Sequence, residues 1–431
     1  MDKFYTAVRL DEKLCKGCIN CIKRCPTEAI RVRNGKAVIK KEFCIDCGEC
    51  IRICPHHAKL ATYDPLSIMK DYAYTVALPA PSLYGQFNNL DDVNIVLTAL
   101  KRLGFDDVYE VSGGAELVSE ISRTYVEEHK DHLPFISTAC PSVVRLISVR
   151  FPNLIDQLLP VKAPVDIAAS LARKKAMKET GLLADQIGII FISPCPAKAS
   201  AVKVPLGFDH SEIDGVVAIK DIYPKLLPYM KEVEQNNEVE NLAISGKIGI
   251  GWGGTGGEAG GLLIDSYLAA DGIENVIRVL EDLEDQKFTD LEFIELNACN
   301  GGCVGGVLTV ENPFVAKVKL IRLRKYMTVA CNHLTDVLLK AEEKYWTHPV
   351  KYEPVFKLGT DMEESILLIS KVEELCNQFP GLDCGSCGAP TCKALAEDIV
   401  RNTASEKDCI HILKKMIHKI SDEMSMLTNK D

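Results

Sequence analysis

The chain has 431 residues, of which 47% are apolar and 26% charged, and its formal net charge is −10. This length and composition predict about two to four globular domains and exclude wholesale disorder. The acidic balance argues against a nucleic-acid-binding protein, which needs basic side chains to neutralise phosphates. The most apolar run, residues 187–192, is too short to span a membrane, and residues 1–10 lack the apolar core of a signal peptide. We therefore expect a cytoplasmic protein.

Cysteine is the unusual feature of the composition, because the chain contains 18 cysteines. In a reducing cytoplasm, so many cysteines serve as metal ligands, catalytic groups or buried thiols rather than as disulfides. Eight of them precede residue 55, four are dispersed between residues 140 and 303, and four lie between residues 384 and 409. Clustering at fixed spacings is typical of ligands, whereas structural cysteines scatter.

The eight N-terminal cysteines form two copies of one motif, 29 residues apart (Cys15 to Cys44). Each copy has three cysteines two residues apart and a fourth followed by proline, the spacing of bacterial two-cluster ferredoxins. In that arrangement the fourth cysteine of each half binds the cube of the other half. We therefore predict one 4Fe-4S cluster on Cys15, Cys18, Cys21 and Cys54, and a second on Cys44, Cys47, Cys50 and Cys25. The motif indicates electron transfer, and a pair of zinc knuckles is the alternative.

The pattern of the chain predicts three domains. They are a small α+β ferredoxin-like domain over 1–66, an α/β core over 72–346 and a small, mainly helical domain over 362–431. Within the core we expect helices over 94–103 and 171–180 and a short strand over 108–111.

Four further β-rich runs of the core each end in an irregular loop; they cover residues 134–137, 187–193, 247–251 and 291–296. Open α/β sheets place their chemistry at the carboxyl ends of parallel strands. Three of the loops carry cysteines, namely Cys140, Cys195, Cys299 and Cys303. We predict parallel sheets with a third cube at this edge; buried apolar cysteines are the alternative, and the spacing alone favours neither.

The three cysteine loops resemble the signature loops of the iron-only (FeFe) hydrogenases. The matching segments are TACP at 138–141, SPCPAK at 193–198 and ELNACNGGC at 295–303. Further landmarks of that family follow in the same order, at residues 80–82, 103–106, 114–117 and 254–257. The resemblance therefore covers essentially the whole central domain.

The resemblance implies that the four loop cysteines bind a 4Fe-4S cube and that Cys303 also bridges to a two-iron unit. That unit carries CO, cyanide and an azadithiolate amine, and with the cube it forms the H-cluster. Lys198 would donate a hydrogen bond to a cyanide, while Pro81 and Ser82 would line the opposite side. A surface position is the alternative for Lys198. H2 would be polarised by a Lewis-acidic iron while the amine takes a proton.

Several positions depart from the catalytic members of the family. Those members place a proton-carrying cysteine just before the first ligand, where this chain has Ala139. Their tandem relay glutamates correspond to Ile121 and Ser122, and their loop methionines to Ser193 and Asn297. Loss of general acid–base catalysis slows a reaction by roughly 10²- to 10⁴-fold. The pattern resembles the sensory branch of the family and implies slow, reversible H2 splitting with a role in H2 or redox sensing.

The glycine loop after residue 250 offers another interpretation. Gly251, Gly253 and Gly256 satisfy G-x-G-x-x-G after a predicted strand, the pattern of a dinucleotide site. The match is weak by itself, and the hydrogenase family carries a similar loop beside its metal site. We therefore assign these glycines to the metal pocket.

The C-terminal cysteines form a separate motif with Gly381, Gly385 and Gly388 among them. It resembles the small 4Fe-4S domain of electron-transfer subunits such as those of Rnf-type complexes, and a zinc site is the alternative. We predict a third cluster outside the active site, in a module separable from the core, with the ligands Cys384, Cys387, Cys392 and Cys409. Two cysteines are left over, Cys331 and Cys376, and we expect buried thiols there.

The final helix is expected to carry a packing or homodimerisation face with Ile412, Met416 and Ile420. The expected substrates are H2 and protons, without nucleic acid or a membrane span. No kinase, PAS or phosphatase motif identifies a redox or signalling partner. Two alternatives remain: a metabolic hydrogenase whose protons pass through Glu116 or Glu258, and a non-catalytic iron–sulfur assembly protein without the two-iron unit.

Overall fold

The computed structural model describes residues 4–288 and 290–428. The chain divides into two units. The first comprises the chain up to Val8, Ile45–Gly48 and Ala61–Tyr352. The second comprises Arg9–Cys44, Glu49–Leu60 and the chain from Glu353 onward. The ferredoxin-like motif and the C-terminal cysteine motif therefore belong largely to one unit, and the three domains drawn from the sequence stay a prediction.

Short strands alternate with helices through most of the chain. The strands of the described chain are β1 (Val8–Leu10), β2 (Ile30–Arg33), β3 (Lys36–Ile39), β4 (Lys59–Ala61), β5 (Tyr74–Pro79), β6 (Asp107–Val108), β7 (Phe135–Ile136), β8 (Ile187–Ser193), β9 (Gly215–Ala218), β10 (Tyr267–Asp271) and β11 (Phe293–Asn297). The helices are α1 (Asn20–Lys23), α2 (Glu49–Arg52), α3 (Val93–Leu103), α4 (Val111–Glu128), α5 (Pro141–Arg150), α6 (Pro164–Thr180), α7 (Pro196–Lys203), α8 (Ile219–Asn236), α9 (Lys247–Gly251), α10 (Gly257–Gly261), α11 (Ile273–Glu284), α12 (Pro313–Leu323), α13 (Ala341–Lys344), α14 (Met362–Gln378), α15 (Cys392–Val400) and α16 (Ile410–Thr428).

Two parallel sheets form the centre of the first unit, as predicted. One has the order β6-β5-β8-β9 and the other the order β10-β11-β7. Strand β8 pairs with β5 from Tyr74 opposite Ile187 to Pro79 opposite Ile192. All seven residues of β8 are buried, because helices cover parallel sheets on both faces and such strands read as continuous apolar runs. Helices α3 and α8 pack in one apolar core, and α6 contributes to another.

Two predicted strands of the first unit differ from the structure. The run Lys247–Gly251 is helix α9 rather than a strand, and the strand predicted over 108–111 is only Asp107–Val108, because Val111 begins α4. The pattern Ile-Gly-Ile-Gly imitates β alternation, but its glycine has a packing role. A Cβ on Gly249 would lie 2.2 Å from the Ser112 carbonyl oxygen of α4. Glycine therefore permits the close approach of two helices, and G-x-G-x-x-G does not follow a strand here.

The second unit is built from small elements. Strands β2 and β3 form an antiparallel hairpin with Ile30 opposite Ile39. The backbone N–H of Val32 donates to the carbonyl oxygen of Gly388 at 2.8 Å, so the hairpin contacts the C-terminal cysteine motif. Helices α14 and α15 enclose a small apolar core that includes Val372, Leu375 and Leu395. The C-terminal region is mainly helical, as predicted.

Helix α16 has an exposed apolar face that only partly coincides with the predicted packing or dimerisation face. Ile412 packs against the C-terminal core and Met416 is half-buried, whereas Ile420 is 56% exposed. The exposed apolar residues are Ile410, Leu413, Ile417, Ile420 and Met424. They follow the alternating spacing of three and four that is typical of a coiled-coil seam. None of the helices within residues 4–288 and 290–428 combines the length and the apolar character that a membrane span needs.

Candidate active site and iron–sulfur sites

The four dispersed cysteines follow the carboxyl ends of strands in two parallel sheets, rather than lying at the edge of a single sheet as predicted. Cys140 follows β7, Cys195 follows β8, and Cys299 and Cys303 follow β11. Cys140 and Cys195 are each the N-cap of a helix, α5 or α7, that begins with proline. Proline suits the first helical position because its fixed φ matches the helix and its missing N–H has no partner there. Each Cys-Pro pair therefore ends its strand loop and fixes a thiol at the sheet edge.

The thiol of Cys140 is close enough to those of Cys195 and Cys303 to alter their pKa values. Burial raises the pKa of Cys195 to about 11 and that of Cys303 to about 12. The neighbouring thiol of Cys140 adds to both increases, whereas the positive charge of Lys198 opposes them. Buried thiols of this kind ionise when a metal supplies positive charge. The donor set therefore fits an iron–sulfur cube.

One cavity brings together the residues that the hydrogenase resemblance placed directly around the two-iron unit. Its lining includes Pro81, Ser82, Ala139, Lys198 and Cys303. The rest of the wall is mostly apolar, with side chains such as those of residues 165, 191 and 252. A largely apolar cavity with a few convergent polar groups is the usual form of a cofactor site.

Two polar side chains of the cavity are free to serve a bound group. The hydroxyl of Ser82 is buried and has no hydrogen-bond partner among the described residues. Lys198 Nζ donates to the carbonyl oxygen of Ala139 at 2.9 Å, which leaves two of its three N–H groups for other acceptors. Lys198 also lines a second cavity, whose wall includes Asp166. It therefore lies between two cavities and not on the open surface.

Two buried glutamates line the same cavity. Glu258 accepts a hydrogen bond from Ser137 Oγ at 2.6 Å, and Ser137 Oγ accepts one from the backbone N–H of Ala139 at 3.3 Å. Burial, and the neighbouring Glu295 carboxylate, raise the pKa of Glu258 to about 8. Burial also raises the pKa of Glu295, and hydrogen bonds from the backbone of Ala259 and Gly256 oppose that increase. The site thus contains a buried carboxyl group with a raised pKa, linked through Ser137 Oγ to the backbone of Ala139.

Glu295 was not among the residues predicted from the sequence. The signal that could have found it is a charged residue inside an otherwise apolar buried strand, because such a residue needs a partner or a function. Its partners are the backbone N–H groups of Gly256 and Ala259, each at 2.9 Å, and Asn297 Nδ2 at 2.8 Å. Asn297, which replaces a methionine of the family, therefore also binds a cavity carboxylate.

Glu116, the other glutamate considered for proton transfer, has a structural role. Its carboxylate accepts hydrogen bonds from the backbone of Gly246 at 2.6 Å and of Cys331 and Asn332 at 2.9 Å. It is not part of the cavity wall. The two positions assigned to the family relay, Ile121 and Ser122, are buried in α4.

The four cysteines predicted to bind the first ferredoxin-type cluster line one cavity of the second unit. They are Cys15, Cys18, Cys21 and Cys54. Within residues 4–288 and 290–428, no three Cys, His, Asp or Glu side chains are arranged to hold one metal ion. A 4Fe-4S cube does not require that arrangement, because it spreads its ligands over four irons. The set of Cys44, Cys47, Cys50 and Cys25 stays a prediction.

The C-terminal cysteines lie in and beside the core of α14 and α15. Cys409 is buried in that core, and Cys387 and Cys392 pack against it. Burial raises the pKa of Cys387, with smaller contributions from Cys409 and Cys384. The two leftover thiols differ from expectation, since Cys331 is exposed and Cys376 is only half-buried, beside Cys392. The surface loop 328–334 holds Cys331, and nothing in its local sequence marks it as exposed.

Three family models match the chain. The model described as iron only hydrogenase large subunit, C-terminal domain, matches residues 73–264 and 226–307, together more than half of the chain. A 4Fe-4S dicluster domain matches residues 7–55. An Fe-S cluster family matches residues 379–411, which include all four C-terminal cysteines assigned as ligands.

Known hydrogenases are similar over much of the chain. Iron hydrogenase 1 of Clostridium pasteurianum is 24% identical over 423 residues, which cover 80% of this chain and 74% of that protein. The periplasmic Fe hydrogenase large subunit of Nitratidesulfovibrio vulgaris is 27% identical, over 44% of this chain and 50% of its own length. A solved structure of the FeFe-hydrogenase HydA(deltaEFG) has a TM-score of 0.49 at 15% identity and covers 68% of this chain and 97% of its own.

The match over more than half of the chain, the order of the three loops and the cavity they enclose lead to one assignment. The iron–sulfur motifs at either end of the core are accounted for by the two further domain matches. The chain belongs to the iron-only (FeFe) hydrogenase family.

Proposed function

We propose that this protein binds H2 and splits it slowly and reversibly, and that it acts as an H2 or redox sensor. The observation that carries the proposal is the cavity in which Cys303 and Lys198 meet Ala139. Catalytic relatives place a proton-carrying thiol at the position of Ala139. A methyl group neither donates nor accepts a proton, so the chain keeps the binding features and lacks a central catalytic one. H2 and protons are the substrates that hydrogenase relatives indicate.

The residues present fit the H-cluster. Cys140, Cys195, Cys299 and Cys303 would hold its cube, and Cys303 would also reach its two-iron unit. Lys198 and Ser82 would donate hydrogen bonds to its cyanide ligands, because both have donors that no described residue uses. When bound, this group supplies the iron and amine chemistry that cleaves H2. The chain itself supplies the ligands, the apolar wall and the hydrogen bonds that orient the group.

Three further 4Fe-4S clusters would carry the electrons. The ferredoxin-like motif would hold two of them and the C-terminal motif the third, which agrees with the two iron–sulfur domain matches. Such clusters transfer single electrons without bond changes in the protein. The electrons would pass to a partner protein with a redox or signalling function. A cytoplasmic location is also part of the proposal.

A metabolic hydrogenase is the second candidate, and Glu258 is the observation that favours it. Its carboxyl group lies on the cavity wall and connects through Ser137 Oγ to the backbone of Ala139. A carboxyl group that is protonated at neutral pH is a suitable general acid. Glu258 and Glu295 would then replace the missing thiol and the relay glutamates. The chain would turn over H2 at the rate of an ordinary enzyme.

A non-catalytic iron–sulfur protein is the third candidate. Such a protein would hold cubes at the same cysteines. It would need neither a cavity next to Cys303 nor hydrogen-bond donors left available on the wall of that cavity. The largely apolar cavity and the positions of Lys198 and Ser82 on its wall favour a site for the two-iron unit instead.

The three candidates are separated by one pair of measurements on anaerobically matured protein. We expect slow H2 evolution with an artificial reductant, together with a change in the CO and cyanide infrared bands when H2 is added. Rapid turnover would favour the metabolic enzyme. Absent CO and cyanide bands would favour the non-catalytic protein. Bands that do not respond to H2 would contradict the sensing proposal.

A further inference from the structure

Lys59 is a buried cation whose ammonium group has no hydrogen-bond partner in the described part of the chain. Its side chain is only 2% exposed. An unpaired charge in a protein interior is costly, so a buried ammonium group needs a source of negative charge close by.

The surroundings of Lys59 identify that source. Lys59 lines the cavity whose wall also contains Cys15, Cys18, Cys21 and Cys54. Burial raises the pKa of Cys21, and the positive charge of Lys59 opposes that increase. The same charge acts on the thiol of Cys54. When these four thiols are deprotonated to bind a cube, their combined negative charge exceeds what the cube neutralises. The excess would be the counter-charge of Lys59.

The internal duplication shows that this charge is specific to one half. The backbone N–H of Ala58 donates to Cys54 Sγ at 3.3 Å, and the equivalent N–H of Ala29 donates to Cys25 Sγ at 3.2 Å. The two halves therefore repeat the same backbone contact, 29 residues apart. The next residue differs, because Lys59 corresponds to Ile30, an apolar side chain that is 2% exposed.

We propose that Lys59 tunes the redox potential of the cube held by Cys15, Cys18, Cys21 and Cys54. On reduction the cube gains one electron and one negative charge, with no bond made or broken. A buried positive charge stabilises that more negative state, so it raises the potential of this cube. The other cube of the motif has Ile30 at the matching position and lacks the effect. An electron on the ferredoxin-like motif would therefore reside preferentially on the Lys59 cube.

The inference rests on the proposed iron–sulfur clusters but not on the two-iron site or on H2 chemistry. Its test uses the full chain with reconstituted clusters and a redox titration followed by electron paramagnetic resonance. The variants are Lys59→Met and Lys59→Gln, which remove the charge, and Lys59→Arg, which keeps it. Ile30→Met is the matched control, since it changes the equivalent buried position without changing charge. Iron content is measured for each variant.

We expect one couple to move to lower potential in Lys59→Met and Lys59→Gln, by at least a tenfold change in its reduction equilibrium, which is 59 mV for one electron. The other couples, and all couples in Lys59→Arg and Ile30→Met, should stay in place. Loss of one cube in both neutral variants, with retention in Lys59→Arg, would also support the counter-charge. Two results would overturn the inference. The first is unchanged potentials in neutral variants that keep their full iron content. The second is loss of the cube in Lys59→Arg as well as in the neutral variants.

Discussion

The guanidinium of Arg31 donates to the carboxylate of Asp398, 367 residues later in the chain, at 2.6 Å. Arg33 and Lys40 bind the same carboxylate at 2.8 and 2.7 Å. Burial would raise the pKa of Asp398, but the hydrogen bonds from Arg31 and Lys40 outweigh it and lower that pKa below its usual value. One buried carboxylate thus joins the ferredoxin-like motif to the C-terminal motif within the second unit.

We expect Asp398→Asn to destabilise the second unit by about 3–5 kcal/mol, because it leaves the buried charge of Arg31 uncompensated. Denaturant unfolding measures this loss. Glu397→Gln, one residue away on the same helix, is the control and should cost no more than about 1 kcal/mol. A carboxyl group with a lowered folded pKa contributes stability above its unfolded pKa, near 3.9, and loses it as pH falls further. The difference between wild type and Asp398→Asn should therefore shrink below about pH 4, and a constant difference would contradict this account.

The same ion pairs revise an expectation from the sequence. We expected the C-terminal module to be separable, so that removing the chain after Tyr352 would cost about one cube. This truncation also removes Asp398, so Arg31, Arg33 and Lys40 of the ferredoxin-like motif lose the carboxylate that they share. The iron content should therefore fall by more than about one cube, while a fall of one cube alone would show that the motif folds unaided.

Ala139→Cys tests the missing proton relay. The variant places a donor in the cavity beside Cys303, and a thiol is small enough to be accepted with modest strain. We expect H2 evolution to rise, and to rise further with Ile121→Glu or Ser122→Glu, but by less than the roughly 10²- to 10⁴-fold of a fully positioned acid. The measurement is the rate with an artificial reductant. High wild-type activity that no variant changes would point to another proton path.

Glu258→Gln tests that other path. The pKa of Glu258, raised to about 8, predicts that wild-type H2 evolution declines as pH rises through about 8. The variant should lose this dependence and turn over more slowly. An unfolded Glu titrates near 4.3, so the raised pKa of the folded state predicts that wild-type stability decreases as pH rises from about 4 to about 8. The stability of Glu258→Gln should not show this decrease. Glu116→Gln is the comparison: it should lower stability and keep the pH profile. An unaltered profile in Glu258→Gln would remove Glu258 from the path.

The exposed seam of α16 predicts a homodimer. In proteins most of the stability of a helix comes from packing of its amphipathic face, and a seam of alternating three and four spacing fits a second such helix. We expect the full chain to sediment as a dimer, and Leu413→Glu combined with Ile420→Glu to sediment as a monomer. Lys415→Glu changes a residue off the seam and should leave the dimer intact. A monomeric wild type at micromolar concentration would contradict the prediction.

The sequence was most informative where chemistry requires a local spacing. The Cys-x-x-Cys repeats and the Cys-Pro loops predict the ligand sets because ligands of one cube must be close in the chain or at the carboxyl ends of strands that meet at one site. It was least informative where contacts join distant segments. The helix at Lys247–Gly251 depends on its packing against Ser112, and the role of Asp398 depends on Arg31. Neither contact leaves a local pattern. Glu295 differs, because its place as a charged residue within an apolar strand is a local signal that could have identified it.

The infrared spectrum of anaerobically matured protein tests the central claim most directly, because CO and cyanide absorb where protein does not. The account predicts CO and cyanide bands in the wild type and in Cys331→Ala, which changes an exposed thiol away from the cavity. Cys303→Ala should lose these bands and the H2 chemistry with them, because one thiolate would serve both the cube and the two-iron unit. A wild type without such bands, or a Cys303→Ala variant that keeps them together with wild-type H2 oxidation, would contradict the assignment of this cavity.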